Sequence, residues 1–555
     1  MQILTLNFLK IVTIFFVLFG FYIPIISFIS GNNPLFPEKL FFDFSFFLNF
    51  IKDSWNQKVI VFSVFQAFTS AILSIIFGFP GAWLVTNFDF PGKRWFRLLT
   101  FLPFILPSIL VVLAMVQFFG NNGWLNRILK LLFSYNETPI YFLYSFSGIL
   151  IAHVFYNFPI AMKIIGDQWE KISYKYSEGA RTLGVGNIRF FFGITLPLII
   201  PSIGSAFIVI FLLCMNSFVI ILVLGGGIKY TTIEVLIYQL ARIELDYSGA
   251  ANLAFLQCGL SITFMTVLIL SIQNNIEQNI SKKNCLIEGI KNFCPKALFG
   301  LFWIFIVLIF ALGPISTIVL DSFRKFENGE WIYTIYWYKK IFQIEENNFF
   351  PLALWNSFRI GIGSAILSSF LGLGLVSLIL DKKGVYRRFW ELFSFFPIVL
   401  SSIVFGVAWF HFYQGNLTEN IPLIYIVIVM HAILLCPFWV RFVLPSLESI
   451  PLKWHLESIM LGKKSFQYYL KILWPWLKKT FIISLFFSFS LSLGELNSIM
   501  MIADDRVRTL PLEIYDAISG YRFSYASVIA VVLLLLSIST FILLELTFGF
   551  FKLFR

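Results

Sequence analysis

Charge is scarce in this sequence. Only 13% of its 555 residues are Asp, Glu, Lys or Arg, whereas 59% are hydrophobic and 70 are Phe. A water-soluble chain of this length needs a charged surface, so the balance excludes an ordinary soluble globule and makes lipid the fitting solvent. Cysteine is also sparse. Cys214, Cys258 and Cys436 lie in apolar stretches, and Cys285 and Cys294 in a short basic loop. They lack the close pairing of a metal site, and all five are expected to be reduced and structural. The four histidines, His153, His411, His431 and His455, have no ligand spacing to one another or to carboxylates, so no metal is expected. A phosphate-cradling Gly-x-x-x-x-Gly-Lys-Ser/Thr is missing, and Gly225-Gly226-Gly227 is not followed by a Lys-Ser/Thr helix start. No catalytic residue and no cofactor are expected on this chain. The formal net charge of +12 comes from Lys and Arg at the ends of apolar runs rather than in one arm or stripe. That distribution is a topology signal and argues against nucleic acid as a partner.

Long apolar runs are what the chain has in abundance. A helix needs about 20 apolar residues to cross the hydrocarbon core. Such windows fall near 11–29, 59–86, 97–119, 142–165, 198–224 and 250–272, then near 298–320, 354–380, 391–413, 421–443, 480–502 and 524–550. About twelve membrane helices are expected, the first a retained span rather than a cleaved leader. Loops rich in Lys and Arg, such as those with Lys93, Arg94, Arg97, Lys382, Lys383, Arg387 and Arg388, alternate with poorer ones. The positive-inside rule then places both termini in the cytoplasm.

The two sets of six are copies of each other. Ser70-Ala71-Ile72-Leu73-Ser74 recurs as Ser364-Ala365-Ile366-Leu367-Ser368, with Gly78 matching Gly372 and Pro103 matching Pro397. Further on, His153 matches His431, Glu170 matches Glu448, Gly184 matches Gly462 and Pro197 matches Pro475. The reading is an all-α polytopic membrane protein made of two tandem six-helix repeats, residues 1–275 and 298–555. A cytoplasmic linker, 276–297, joins them. An even number of helices per copy keeps the two parallel, with a pathway between halves.

Between the fourth and fifth spans of each half lies a polar segment too long for a turn. In the first half Glu178-Gly179-Ala180 is followed by Gly184, then nine residues, then Ile194-Thr195-Leu196-Pro197. Small residues on one side of a short helix let another protein approach closely. Gly184 is placed to end that helix in a left-handed conformation, and Pro197 to lie near the start of the next span. The pattern resembles the "EAA" signature of ABC-importer permeases. In the second half Gly462, Ile472 and Pro475 keep the spacing, while Leu456-Glu457-Ser458 and Trp474 depart from it. The stretches Leu224 to Gln239, Ser492 to Glu495 and Arg508 to Tyr515 are similar to segments of thiamine permeases, and iron(III) permeases share related versions.

The resemblance implies a type I, MetI-like permease in a bacterial inner membrane. Its partners would be two copies of an ABC ATPase, docked on Glu178, Gly179, Ala180, Gly184 and Pro197 and on Glu457, Gly462 and Pro475. A periplasmic or lipid-anchored solute-binding protein would deliver a small solute, thiamine or its phosphate ester, for alternating access. ATP and magnesium would bind the partner alone. An iron(III) permease or an ion-coupled secondary transporter are the competing readings. Glu495 sits inside an apolar run, where a charge usually faces a cavity or a partner. With Asn497 nearby and Asn216 at almost the equivalent place, it forms the candidate substrate pathway.

Overall fold

A computed structural model describes residues 2–29, 44–134, 138–170, 172, 176, 179–180, 182–271, 284–285, 295–328, 330–343, 348–413, 422–451, 454, 457, 460, 469–502 and 506–548. Among the described residues the fold is all-α but for a hairpin, Arg324–Glu327 with Glu330–Tyr333, and a two-residue parallel bridge, Phe88–Asp89 with Asn284–Cys285. Of the expected linker 276–297, that bridge and the helix start at Pro295 are described. Among the described residues eleven helices are long and apolar enough to cross a membrane, or twelve when one bent pair is counted as a single span.

In the first half of the chain these are α1 (Lys10–Ile29), α2 (Ser54–Asn87), α4 (Ser108–Phe133), α5 (Phe146–Glu170), α6 (Ile188–Met215) and α8 (Tyr247–Val267). Shorter helices between them include α3 (Lys93–Ile105) and α7 (Val219–Leu224). The second half has α9 (Pro295–Ser322), α10 (Phe350–Leu380), α13 (Leu423–Glu448), α14 (Lys471–Gly494) and α17 (Phe523–Leu543). Its shorter helices include α11 (Gly384–Val399), α12 (Ser402–Tyr413), α15 (Asn497–Ile502) and α16 (Leu510–Ser519).

Four expected spans differ in position. The window 97–119 gives way to α4, which begins eleven residues later, and 391–413 falls on the bent pair α11 and α12. The window 198–224 is in fact α6, which begins ten residues earlier and stops at Asn216; likewise 480–502 is α14, which stops at Glu495. Pro197 and Pro475 each stand second in an α-helical stretch, Leu196–Met215 or Trp474–Gly494, as expected of Pro197, although the helical run begins earlier. In both halves a wider, five-residue π turn, Phe191–Thr195 or Tyr469–Leu473, directly precedes the proline-bearing stretch. That turn absorbs the backbone bond which a proline cannot make.

The chain forms two compact units. One comprises Met1–Phe47, Ile237–Phe255 and Ile335–Arg555; the other comprises Leu48–Leu236 and Leu256–Thr334. Each is built on a tight helix pair, α10 with α13 in the first and α2 with α5 in the second. Glycines make the pairs possible. A Cβ on Gly372 would meet the Cβ of Trp439 at 2.2 Å, and one on Gly78 would meet the carbonyl oxygen of Phe158 at 2.8 Å. Helices in lipid gain from such close approach because burying apolar surface there drives little.

The first helix of each half joins the other half's unit. Helix α1 packs on α10, with Thr13 filling the notch at Gly374, and Trp409 Nε1 donates to the carbonyl of Gly20 at 2.5 Å. Helix α9 packs on α2, α3 and α4, its Trp303 and Phe310 lying 5.2 and 4.9 Å from the Phe77 ring. Matching backbone anchors recur as well. The N–H of Ile233 donates to Ser63 Oγ, and the N–H of Leu510 to Ser357 Oγ, both at 2.9 Å.

Candidate functional site

The polar segment after α5 starts from a clamped base. Glu170, the last residue of α5, accepts a bond from the Arg97 guanidinium on α3. Glu448, the last residue of α13, is held in the same way by Arg387 on α11, which also binds Glu391 at 2.8 Å. Each half thus ties the end of its fourth span to the short helix before its third.

Beyond Glu170 the chain forms a short helical turn that includes Gly179 and Ala180. The N–H of Leu183 donates to the carbonyl of Gly179 at 3.2 Å, and that of Val185 to the carbonyl of Ala180 at 2.9 Å. Gly184 takes φ +70° between them. A left-handed residue followed by a bond reaching five residues back is the Schellman ending of a helix. Ala180 faces inward and is buried, whereas Cβ atoms placed on Gly179 or Gly184 would meet nothing within 4 Å. Leu183 is 82% exposed and Ile188 77%, so the knuckle presents apolar side chains and a bare backbone to its surroundings. Glu178 lies outside the described residues.

In the second half Trp454, Glu457 and Met460 are helical, and Met460 is 87% exposed. Trp454 packs edge-on against Trp476 at 5.3 Å, which fastens this segment to α14. The Trp476 Nε1 donates to the carbonyl of Ser446, 3.2 Å away on α13. Pro475 lies exposed beside it; Gly462 falls outside the described residues.

The candidate pathway residues sit where α6 and α14 break. Glu495 Oε1 accepts from the N–H of Ser498 at 3.2 Å, so its carboxylate caps the short helix α15. Beside it Asn497 Nδ2 donates to Ser402 Oγ at 3.0 Å. The structure brings these two together at one break, while Asn216 belongs to the other compact unit. There Gln257 Nε2 donates to Asn216 Oδ1 at 3.2 Å and also to the Glu234 carboxylate. Glu234 and Gln257 are both buried. The adjoining histidines join helices through hydroxyls. His153 lies 3.0 Å from both Ser70 and Ser217, and His431 lies 2.8 Å from Ser492.

Two buried acids escaped the reading of the chain. Glu234 is one; Glu513, paired with Arg508 at 3.1 Å, is the other. Each follows a Thr by a few residues at the head of an apolar stretch, and that local pattern was their available signal. Their burial depends on α8 and α17, which come later in the chain.

Comparison with known proteins fits this geometry. Residues 72–282 match the family model described as the binding-protein-dependent transport system inner membrane component. The thiamine transport system permease protein of Haemophilus influenzae is 28% identical over 498 residues, covering 87% of each chain. That of Brucella abortus is 27% identical over 493 residues, covering 87% of this chain and 86% of the relative. Among solved structures, a bacterial alginate ABC transporter in complex with a pentasaccharide-bound periplasmic protein matches 49% of this chain and 93% of its own, at 15% identity and a TM-score of 0.41. In its first half the chain matches the inner-membrane component of binding-protein-dependent transport systems, and its many apolar helices are those of a multi-pass membrane protein. It resembles the thiamine permeases along most of its length.

Proposed function

We propose that this permease imports thiamine or a phosphate ester of it, by alternating access driven by two copies of a separate ABC ATPase. The observation that carries the reading is the pair of clamped knuckles. Each follows the fourth span of its half, each is anchored by an Arg–Glu pair, and the first exposes bare glycine backbone and apolar side chains. A nucleotide-driven closure of the partner needs such a rigid contact, because a ligand moves an equilibrium only through differential interaction with its two states. ATP and magnesium are held by the partner, and a periplasmic or lipid-anchored binding protein supplies solute. The knuckles and both termini then face the cytoplasm. The bodies that move are then the two compact units rather than the sequence repeats 1–275 and 298–555, because each unit takes the first helix of the other half.

The thiamine assignment is supported by the likeness to thiamine permeases over 87% of the chain and by Glu495. A carboxylate at a helix break in an apolar span attracts a cationic ring. The test is reconstitution of this chain with its ATPase and binding protein in proteoliposomes. ATP-dependent uptake of thiamine, with ferric iron not taken up, is the expected result. Uptake in vesicles holding this polypeptide alone would refute the ATP-driven mechanism, and iron uptake would refute the substrate.

A further inference from the structure

Helix α11 does not run with the span it feeds. Its segment Gly384–Pro397 is bent by 86° from Ser402–Phe412 of α12, so when α12 stands in the bilayer α11 lies along its surface. Its inward side is fixed: Arg387 grips Glu448, and the Phe393 ring stacks on Tyr22 at 4.3 Å. Its outward side carries Val385, Phe389 and Leu392, spaced at i, i+4 and i+7, and all are exposed, Val385 to 80%. Three cations, Lys382, Lys383 and Arg388, are exposed along the same helix start. The helix gains nothing from them locally, since its first turn has no acid and cations there oppose the helix dipole.

We infer that α11 is an interfacial helix that binds anionic phospholipid headgroups on the membrane face carrying the knuckles. An apolar stripe flanked by cations, on a helix in the plane of the membrane, matches a bilayer surface: the side chains enter the acyl region and the cations meet phosphates. The same design recurs in the other unit, where α3 exposes Arg94 and Trp95, the latter 67% exposed, while Arg97 grips Glu170. Because Arg387 ties α11 to the base of the second knuckle, headgroup binding there bears directly on the position of that knuckle.

The test uses the full chain in detergent, titrated with a short-chain fluorescent phosphatidylglycerol and read by anisotropy. Each basic residue at an anionic surface is worth roughly a factor of five. The K382Q/K383Q/R388Q variant should therefore bind on the order of a hundredfold more weakly, whereas K382R/K383R/R388K should match the parent. If the neutral triple variant does not fold, the three single Gln variants should each bind about fivefold more weakly. Equal binding by parent and neutral variants, or equal binding of a phosphatidylcholine probe, would overturn the proposal. A second measurement places a bimane on Phe389→Cys in proteoliposomes lacking any partner protein. Quenching by brominated acyl chains beyond that of the labelled parent is the expected result. An unquenched, water-exposed probe would show that this face does not enter the bilayer and would overturn the proposal.

Discussion

Replacing Gly184 by Ala separates backbone strain from side-chain contact at the first knuckle. Gly184 holds φ +70°, and a Cβ there meets nothing within 4 Å. The substitution therefore adds no clash in the free permease, and its effect comes from the left-handed backbone. An L residue pays roughly 1–2 kcal/mol there, which frays the Schellman ending unless the partner forces it back. If the ATPase recognises the closed ending, its affinity should fall by about 5- to 30-fold, the equivalent of that energy. Gly184→Asn should recover most of the loss, because Asn tolerates this conformation. Gly179→Ala is the matched control. It lies in the helical turn with an equally open Cβ direction, and Ala there favours helix over Gly by about 0.5–1 kcal/mol. Weakened docking by Gly179→Ala then reports direct contact with the partner. The assay is co-purification at graded ATPase concentrations, with the thermal midpoint of the free chain measured alongside. Unchanged affinity for Gly184→Ala would refute the claim that the ordered helix ending is what the ATPase reads.

Other perturbations test the remaining parts. Gly372→Ala drives a Cβ into Trp439, and Gly78→Ala drives one into the Phe158 carbonyl; each should lower stability by about 1–3 kcal/mol, seen as a lower unfolding midpoint in detergent. Arg97→Gln and Arg387→Gln remove partly exposed ion pairs worth at most about 1 kcal/mol, so the midpoint should barely move while ATP-driven uptake falls. Loss of both together would instead make the clamps purely structural. Glu495→Gln keeps an acceptor for the Ser498 N–H but removes the charge. Stability should hold while thiamine uptake drops about tenfold; unchanged uptake would leave Glu495 as a helix cap only. Glu495→Ala removes the cap as well and should cost a further ~1 kcal/mol of stability.

Much of this molecule was legible in its residues because the bilayer imposes a strict length rule. Runs of apolar residues marked the spans, and the recurrence of Ser70 to Ser74 as Ser364 to Ser368 marked the duplication. Gly184 was legible because few backbone conformations call for glycine, and it occupies one of them. The breaks at Asn216 and Glu495 were not. Both stand inside windows of nearly unbroken hydropathy, and what ends the helix is local hydrogen bonding, such as the Glu495 carboxylate capping Ser498. Pro197 was legible at a helix start because a proline fits there by default; the π turn that joins its helix to the residues before it was not.

By itself the order of residues determined how many helices cross the membrane, that they come in two similar sets, and where a small-residue knuckle falls between spans. Each of these follows from local chemistry: apolar length, repetition, and the few conformations open to a glycine or a proline. Which helices pack together was decided only in three dimensions. Hydropathy is nearly the same on a surface facing lipid and a surface facing another helix, so it carries no pairing information. Notches such as Gly374 against Thr13, and ring contacts such as Phe77 with Trp303, send α1 and α9 each to the other half's unit. The same packing buries Glu234 with Gln257, residues whose partnership exists only once α8 has folded back beside the α6 break.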